Sequence, residues 1–233
     1  MKVAVMQPYF FPYIGYFQLI NAVDVFVFYD DVDYIKNGWI NRNRILMNGK
    51  SHYVTVPCIK ASSNKLINSI QYDSTSKDCR KIVKTIKQAY GKAPYFEKVF
   101  PMIERVFSAS TNQISSLAQR SLVVVSTYLN LQTKFKISSV DFPESKGMDK
   151  ADRLISICQA INATQYINAI GGKELYDKEY FQKKGVDLIF LSPNKIEYKQ
   201  FGPDFTPWLS IIDVLMFNPI EHIKKHLNQY ELL

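Results

Sequence analysis

Three aspartates and two arginines crowd one stretch of the chain, "FYDDVDYIKNGWINRNRI", residues 28 to 45. Asp30, Asp31 and Asp33 follow an apolar, β-rich run. Paired carboxylates at such a place take a proton or hold a divalent cation such as Mg²⁺. A solvated acidic turn accounts for them as well. Downstream, strand alternation sets Ile40, Arg42, Arg44 and Leu46 on one face and Trp39, Asn41, Asn43 and Ile45 on the other. Two guanidinium forks spaced in this way grip a diphosphate or a carboxylate. They also suit an exposed strand edge that uses charge against aggregation. Asp30 and Asp31 are therefore candidates for base or metal ligand. Lys36, Asn41, Arg42 and Arg44 are candidates for substrate binding. Mg²⁺ is the one cofactor these residue types suggest, and none is specified.

A second cluster opens the chain. "MQPYFFPYIGYFQLI" (Met6 to Ile20) packs aromatic rings between Pro8 and Pro12, directly after the strand-like "KVAVM". Ligands of open α/β sheets bind outside the carboxyl ends of strands. Gly15, near the start of the next helix, lets a phosphate or sugar approach backbone N–H groups. Gln7, Tyr9, Tyr13 and Tyr16 offer neutral hydrogen bonds beside stacking faces. Tyr16 joins Asp30 and Asp31 among the catalytic candidates, and Gln7, Tyr9 and Gly15 join the substrate-binding set. The competing account is plain packing, with the prolines shaping a turn. A third cluster, "YINAIGGKELY", places Tyr166 and Asn168 on one strand face, followed by Gly171 and Gly172. Such glycines admit a ligand to the backbone, or simply turn the chain.

Other polar residues have structural explanations to hand. Asp149 or Ser145 can cap the helix "KADRLISICQAI", with Asp152 and Arg153 in its first turn; Lys146 and Gly147 before it suit a mobile basic loop. Asp213 sits in an apolar helical run, so it needs a partner. Ser210 three residues earlier makes a capping-box-like pair, and Tyr198, Gln200 and Asn218 complete either a structural network or a pocket wall. His222 and His226 are spaced for zinc on one helix face, yet no third ligand is near. His52 opens a strand. The three cysteines lack paired spacing, which argues against a disulfide framework and for a cytoplasmic protein.

These clusters need elements to hold them. Residues 1 to about 73 read as strands with one short helix, "YIGYFQLINAV". Residues 75 to 130 read as helices punctuated by Pro94 and Pro101. From 134 strand and helix alternate, with a closing helix from Leu209. Alternation of this kind predicts an α/β fold, a mainly parallel sheet flanked by helices with a helical insertion at about 75–130. The length of 233 residues suits a single domain spanning 1–233. No segment has the apolar length for membrane insertion, and the N-terminal segment is a poor signal peptide. The formal net charge of +8 fits an anionic small molecule such as a nucleotide or nucleotide-sugar. Nucleic acid is not favoured, because the basic residues are scattered and no nucleic-acid signature is present.

The run "QPYFFPYIGYFQLINAVDVFVFYDDVDYIKNGWINRNRI" resembles the opening signature of the WbqC-like family. "HYVTVP", "RLISICQAINATQYINAIGGKELY" and "YKQFGPDFTPWLSIIDVLMFN" extend the resemblance over most of the chain. It implies a role with bacterial O-antigen and other surface-polysaccharide gene clusters. The expected activity is a transferase that moves an acyl or aminoacyl group onto an amino sugar or nucleotide-sugar. Two alternatives stand beside it. "YFFPYIGYF" is similar in shape to the phosphate-binding turn of HIGH-type nucleotidylyltransferases, with Phe11 and Tyr16 where those enzymes place an acid and a histidine. The other is a non-catalytic module that binds nucleic acid or an assembly partner.

Overall fold

The computed structural model describes residues 1–108 and 111–233. In chain order come β1 (Lys2–Met6), α1 (Ile14–Asn21) and β2 (Val25–Phe28). The hairpin β3 (Arg42–Met47) and β4 (Lys50–Thr55) follows, then the ribbon β5 (Cys58–Ile59) and β6 (Gln71–Tyr72). Helices α2 (Lys77–Tyr90), α3 (Phe96–Phe107) and α4 (Ile114–Tyr128) form the middle of the chain. The last part is β7 (Lys134–Ile137), α5 (Ser138–Asp141), α6 (Lys150–Ala160), β8 (Gln165–Ala169), α7 (Lys178–Lys183), β9 (Asp187–Pro193), α8 (Ile211–Phe217), α9 (Ile220–Leu227) and β10 (Tyr230–Leu232).

The six-stranded sheet runs β10-β9-β8-β1-β2-β7. All pairings are parallel except β10 against β9. Taken in the order in which the chain makes them, the parallel strands lie 3-2-1-4-5. The order therefore reverses between β1 and β8, and a crevice opens outside their carboxyl ends.

The apolar strands are continuous because both sheet faces are covered. Ala4, Phe26 and Phe28 enter the core shared with α1 and the middle helices. Val3, Val5, Val25 and Val27 enter the opposite core, against Leu154, Ile157 and Cys158 of α6 and Phe181 of α7. The inserted helices are amphipathic. In α2, Cys79, Ile82, Ile86 and Tyr90 form the buried stripe, and the Ser76 hydroxyl caps the helix by accepting from Cys79 N at 3.2 Å.

Several boundaries differ from the sequence reading. The strand expected from Gly38 starts only at Arg42, and its hairpin forms a separate sheet. "INSIQYD" divides into a 3₁₀ turn, Ile67–Ser69, and the two residues of β6. Pro101 lies inside α3 rather than between helices. The single closing helix is two, because Pro219 drives Asn218 to an extended backbone (φ −126°, ψ 142°). Among the described residues, no helix is long and apolar enough to cross a membrane.

Candidate functional site

Beyond Met6 the chain leaves the sheet in a turn built around Phe11, whose φ of 40° lies in the left-handed region that a bulky side chain avoids. That conformation is held from all sides. Phe11 N donates to the Ser121 hydroxyl at 3.0 Å, and its carbonyl accepts from Ser210 Oγ at 2.7 Å. Asn43 Nδ2 donates to the carbonyls of Phe10 and Phe11 at 3.1 and 3.0 Å. Phe10 and Phe11 are fully buried, so they pack the core. Other residues of the motif border a cavity. Gln7, Tyr9, Tyr13, Gly15 and Tyr16 line a cleft of about 670 Å³ at the crevice between β1 and β8.

The cleft gathers most of the residues picked out from sequence. Tyr16 Oη donates to the Gln7 carbonyl at 2.6 Å and fixes the turn. Burial pushes its phenol well above the ordinary value, so it stays neutral and serves as a donor. Burial raises the Tyr9 phenol too, with its ring 5.4 Å from that of Tyr16. Gly15 is small for the sake of its own turn: a Cβ there would stand 2.4 Å from the Tyr13 ring. From β8, Tyr166 Oη reaches back to the Val5 carbonyl at 3.4 Å. Asn168 Oδ1 accepts from Ala169 N at 2.9 Å, while its Nδ2 lies where a side chain on Gly172 would be, 2.5 Å from the ideal Cβ. Gly171 and Gly172 form the adjoining lip.

One arginine of the expected pair is present. Arg44 lines the cleft, donating from Nη2 to the Trp208 carbonyl at 2.9 Å, 5.6 Å from the Trp39 ring. Its Nε is buried without a partner among the described residues, as is Oε1 of Gln7, which also lines the cleft. Arg42 points elsewhere. Its guanidinium donates to the Asn37 and Gly38 carbonyls and covers the Tyr53 ring at 4.7 Å. Lys36 is exposed and Asn41 is buried; neither lines the cleft. Asn41 accepts from Tyr34 Oη at 2.8 Å and donates to the Val56 carbonyl at 2.8 Å, which closes its hydrogen bonding on the hairpin.

Asp30 and Asp31 lie at the end of β2 but do not line the cleft. Asp30 accepts from Ser138 Oγ, Ser139 N and Ser139 Oγ at 2.9–3.1 Å. Asp31 accepts from Ser138 Oγ and forms a buried ion pair with Arg153 Nη2 at 2.6 Å. Ser145 Oγ accepts from Arg153 Nε at 3.2 Å, so this serine holds the arginine rather than capping α6. Asp149 occupies the N-cap of α6 without a side-chain bond. This donor set does not fit Mg²⁺, because Arg153 already supplies the positive charge. Among the described residues, no three His, Cys, Asp or Glu side chains cluster as a metal site. The Arg153 guanidinium lies 4.6 Å from the ring of Tyr29, and Tyr29 lines the cleft.

Asp213 is the centre of a closed network. It accepts from Tyr90 Oη at 2.8 Å, Tyr198 Oη at 2.7 Å and Gln200 Nε2 at 2.6 Å. Ser210 caps α8 through Ile212 N, and Asn218 bonds the Val214 carbonyl, so neither side chain belongs to this network. His222 is exposed, and His226 Nδ1 pairs with Gln229 Oε1 at 2.8 Å.

Sequence reasoning missed Tyr29, Tyr176 and Trp208 as walls of the cleft, and set Trp39 and Asn43 opposite Arg44. Trp208 had a local signal: an aromatic directly after Pro207, outside any periodic segment. It is 52% exposed with φ 60°.

Comparison with known proteins covers most of the chain. The model of the WbqC-like protein family matches residues 7–225. The chain is 30% identical over 221 residues to "Uncharacterized protein Rv1507c" of Mycobacterium tuberculosis (strain ATCC 25618 / H37Rv), covering 93% of each chain. No solved structure gives a significant match. From the opening turn to the last helix, the chain belongs to the WbqC-like protein family.

Proposed function

We propose that the cleft binds an anionic, activated sugar, and that the protein is a transferase of bacterial surface-polysaccharide biosynthesis. Its reaction places an acyl or aminoacyl group on the amine of an amino sugar or nucleotide-sugar. One observation carries the reading: the crevice at the strand-order reversal is walled by aromatic rings and side-chain amides, with Arg44 as its one cationic side chain. Aromatic faces and amides suit a sugar ring and its hydroxyls, and a single guanidinium suits one phosphate or carboxylate.

The lining also bears on reaction type. Among the described residues it contains no carboxylate, imidazole or thiol. A deprotonated sugar amine is itself the nucleophile, so transfer to it asks mainly for orientation, exclusion of water and donors toward the developing oxyanion. Asn168 Nδ2, Arg44 and neutral phenols are donors of that kind. Nucleotidylyl transfer ranks second, since neither histidine nor lysine stands in this wall.

A thermal-shift panel of nucleotide-sugars, acyl-CoA, ATP with Mg²⁺ and short RNA tests the reading. A ligand at about 100 times its Kd adds roughly 2.7 kcal/mol of stability. The expected result is a shift with a nucleotide-sugar, weakened roughly ten- to hundredfold in affinity by Arg44→Ala. Stabilisation by RNA alone, fading steeply with salt, would replace it with the binding-module reading.

A further inference from the structure

A second, smaller compartment adjoins the cleft. It has a volume of about 280 Å³, lies beyond the carboxyl end of β9, and is lined by Ile14, Ile196, Phe205, Leu209 and Val214 with the ring of Tyr198. The two cavities share Tyr13, Pro193 and Trp208 as their common wall. The rings of Tyr13 and Trp208 stand 5.8 Å apart.

This wall is built rather than left over. Gln200 clamps the chain at Thr206 through two bonds, Nε2 to Thr206 O at 3.1 Å and Thr206 N to Oε1 at 2.8 Å. Ser210 N donates to the Arg44 carbonyl at 2.8 Å. Between these anchors Trp208 holds a left-handed φ of 60° and leaves its ring 52% exposed. Both are unfavourable for a tryptophan unless the position is used. Behind the compartment the Asp213 carboxylate accepts hydrogen bonds from Tyr198, Tyr90 and Gln200. Lys195 and Glu197, of opposite sign, are exposed among the lining residues.

We infer that this compartment binds the short acyl chain of an activated ester or thioester donor, while the cleft holds the sugar. The C–N bond to the sugar amine forms as the donor's C–O or C–S bond breaks, and the alcohol or thiol leaves with the amine's proton. The inference rests on the group-transfer reading above. An acyl chain and a sugar fit two cavities that meet at one wall, where the Tyr13 and Trp208 rings are tilted at 59° to each other, and the acyl–amine junction then falls beside these two residues. Phe205, with its ring 5.1 Å from that of Tyr198, lines the compartment.

The test uses straight-chain primary amides from propanamide to octanamide, without any nucleotide-sugar. Trp208 fluorescence is read in full-length Trp39→Phe protein, where it is the only tryptophan. Affinity is expected to rise about fourfold per added methylene until the compartment is full. Phe205→Ala should move the plateau to longer chains, a result that a misfolded variant cannot give. Ile196→Arg should flatten the series. Leu175→Tyr, on the other cavity alone, should leave it unchanged. Affinity independent of chain length, an unmoved plateau in Phe205→Ala, or Trp208 quenching by adenosine but not by the amides would overturn the inference. Because no sugar is present, failure here leaves the sugar cleft standing. A failed nucleotide-sugar panel beside an intact chain-length series removes the sugar reading alone.

Discussion

The carboxyl ends of β1 and β2 lie side by side in the sheet, yet they treat their polar groups in opposite ways. At β2, Asp30 and Asp31 are buried and saturated by Ser138, Ser139 and Arg153. At β1, Gln7 Oε1 and, across the cleft, Arg44 Nε have no partner among the described residues. The first arrangement ties β2 to α5 and α6; the second leaves two buried polar atoms unpaired on residues that line a cavity. A carboxylate at a strand end thus becomes a structural group when donors arrive from elsewhere in the chain. Gln7 meets no such donor and stays unpaired at the cleft wall.

The largest expected effect breaks the β2 side. Arg153→Ala leaves Asp31 charged and buried, and removing one member of a buried pair costs about 3–5 kcal/mol. Urea unfolding should show the midpoint falling sharply, with Ser138→Ala milder because each carboxylate keeps another donor. If Arg153→Ala unfolds at the wild-type midpoint, the acidic cluster is not structural, and Asp30 and Asp31 return as candidates for the base.

This contrast also marks what the sequence makes legible. The parallel sheet, the helical insertion and the β1 turn are local signals: apolar runs buried on both faces, amphipathic stripes, and a proline-framed aromatic segment. The fate of Asp30 and Asp31 is not local, because Ser138 lies more than a hundred residues on and Arg153 further still. The pairing of Arg42 with Arg44 failed for a geometric reason. Alternation correctly put them on one face, but the strand begins at Arg42, where the preceding turn offers the Asn37 and Gly38 carbonyls. Trp208 enters from a segment without periodicity, so only the tertiary anchors at Gln200 and Ser210 place it.

A second prediction concerns the buried acid next to the apolar compartment. Burial raises the Asp213 carboxyl above its ordinary 3.8, outweighing the bonds from Tyr198, Tyr90 and Gln200 that lower it. A folded-state pKa above the unfolded one means that the protonated form favours folding. The contribution is complete below 3.8 and is lost as pH rises through the folded value. Asp213→Asn keeps an acceptor for Tyr198 and Gln200 without the charge. Its melting temperature should therefore gain on that of the wild type as pH rises from 3.5 toward 7. A difference that stays flat over that range would show that the network holds the ionised form at no cost.

The smallest effect separates the two arginines. Arg42 contributes hairpin bonds and a cation–π contact on Tyr53, which is half exposed, so Arg42→Ala should lower stability by about 0.5–1 kcal/mol. Ligand affinity should stay within a factor of about two of wild type, while Arg44→Ala loses tenfold or more. Titration of both variants with the nucleotide-sugar found in the panel makes the comparison. Equal losses would mean that the hairpin turn reorganises on binding and swings Arg42 into the cleft. The diphosphate grip that alternation suggests would then belong to the bound state.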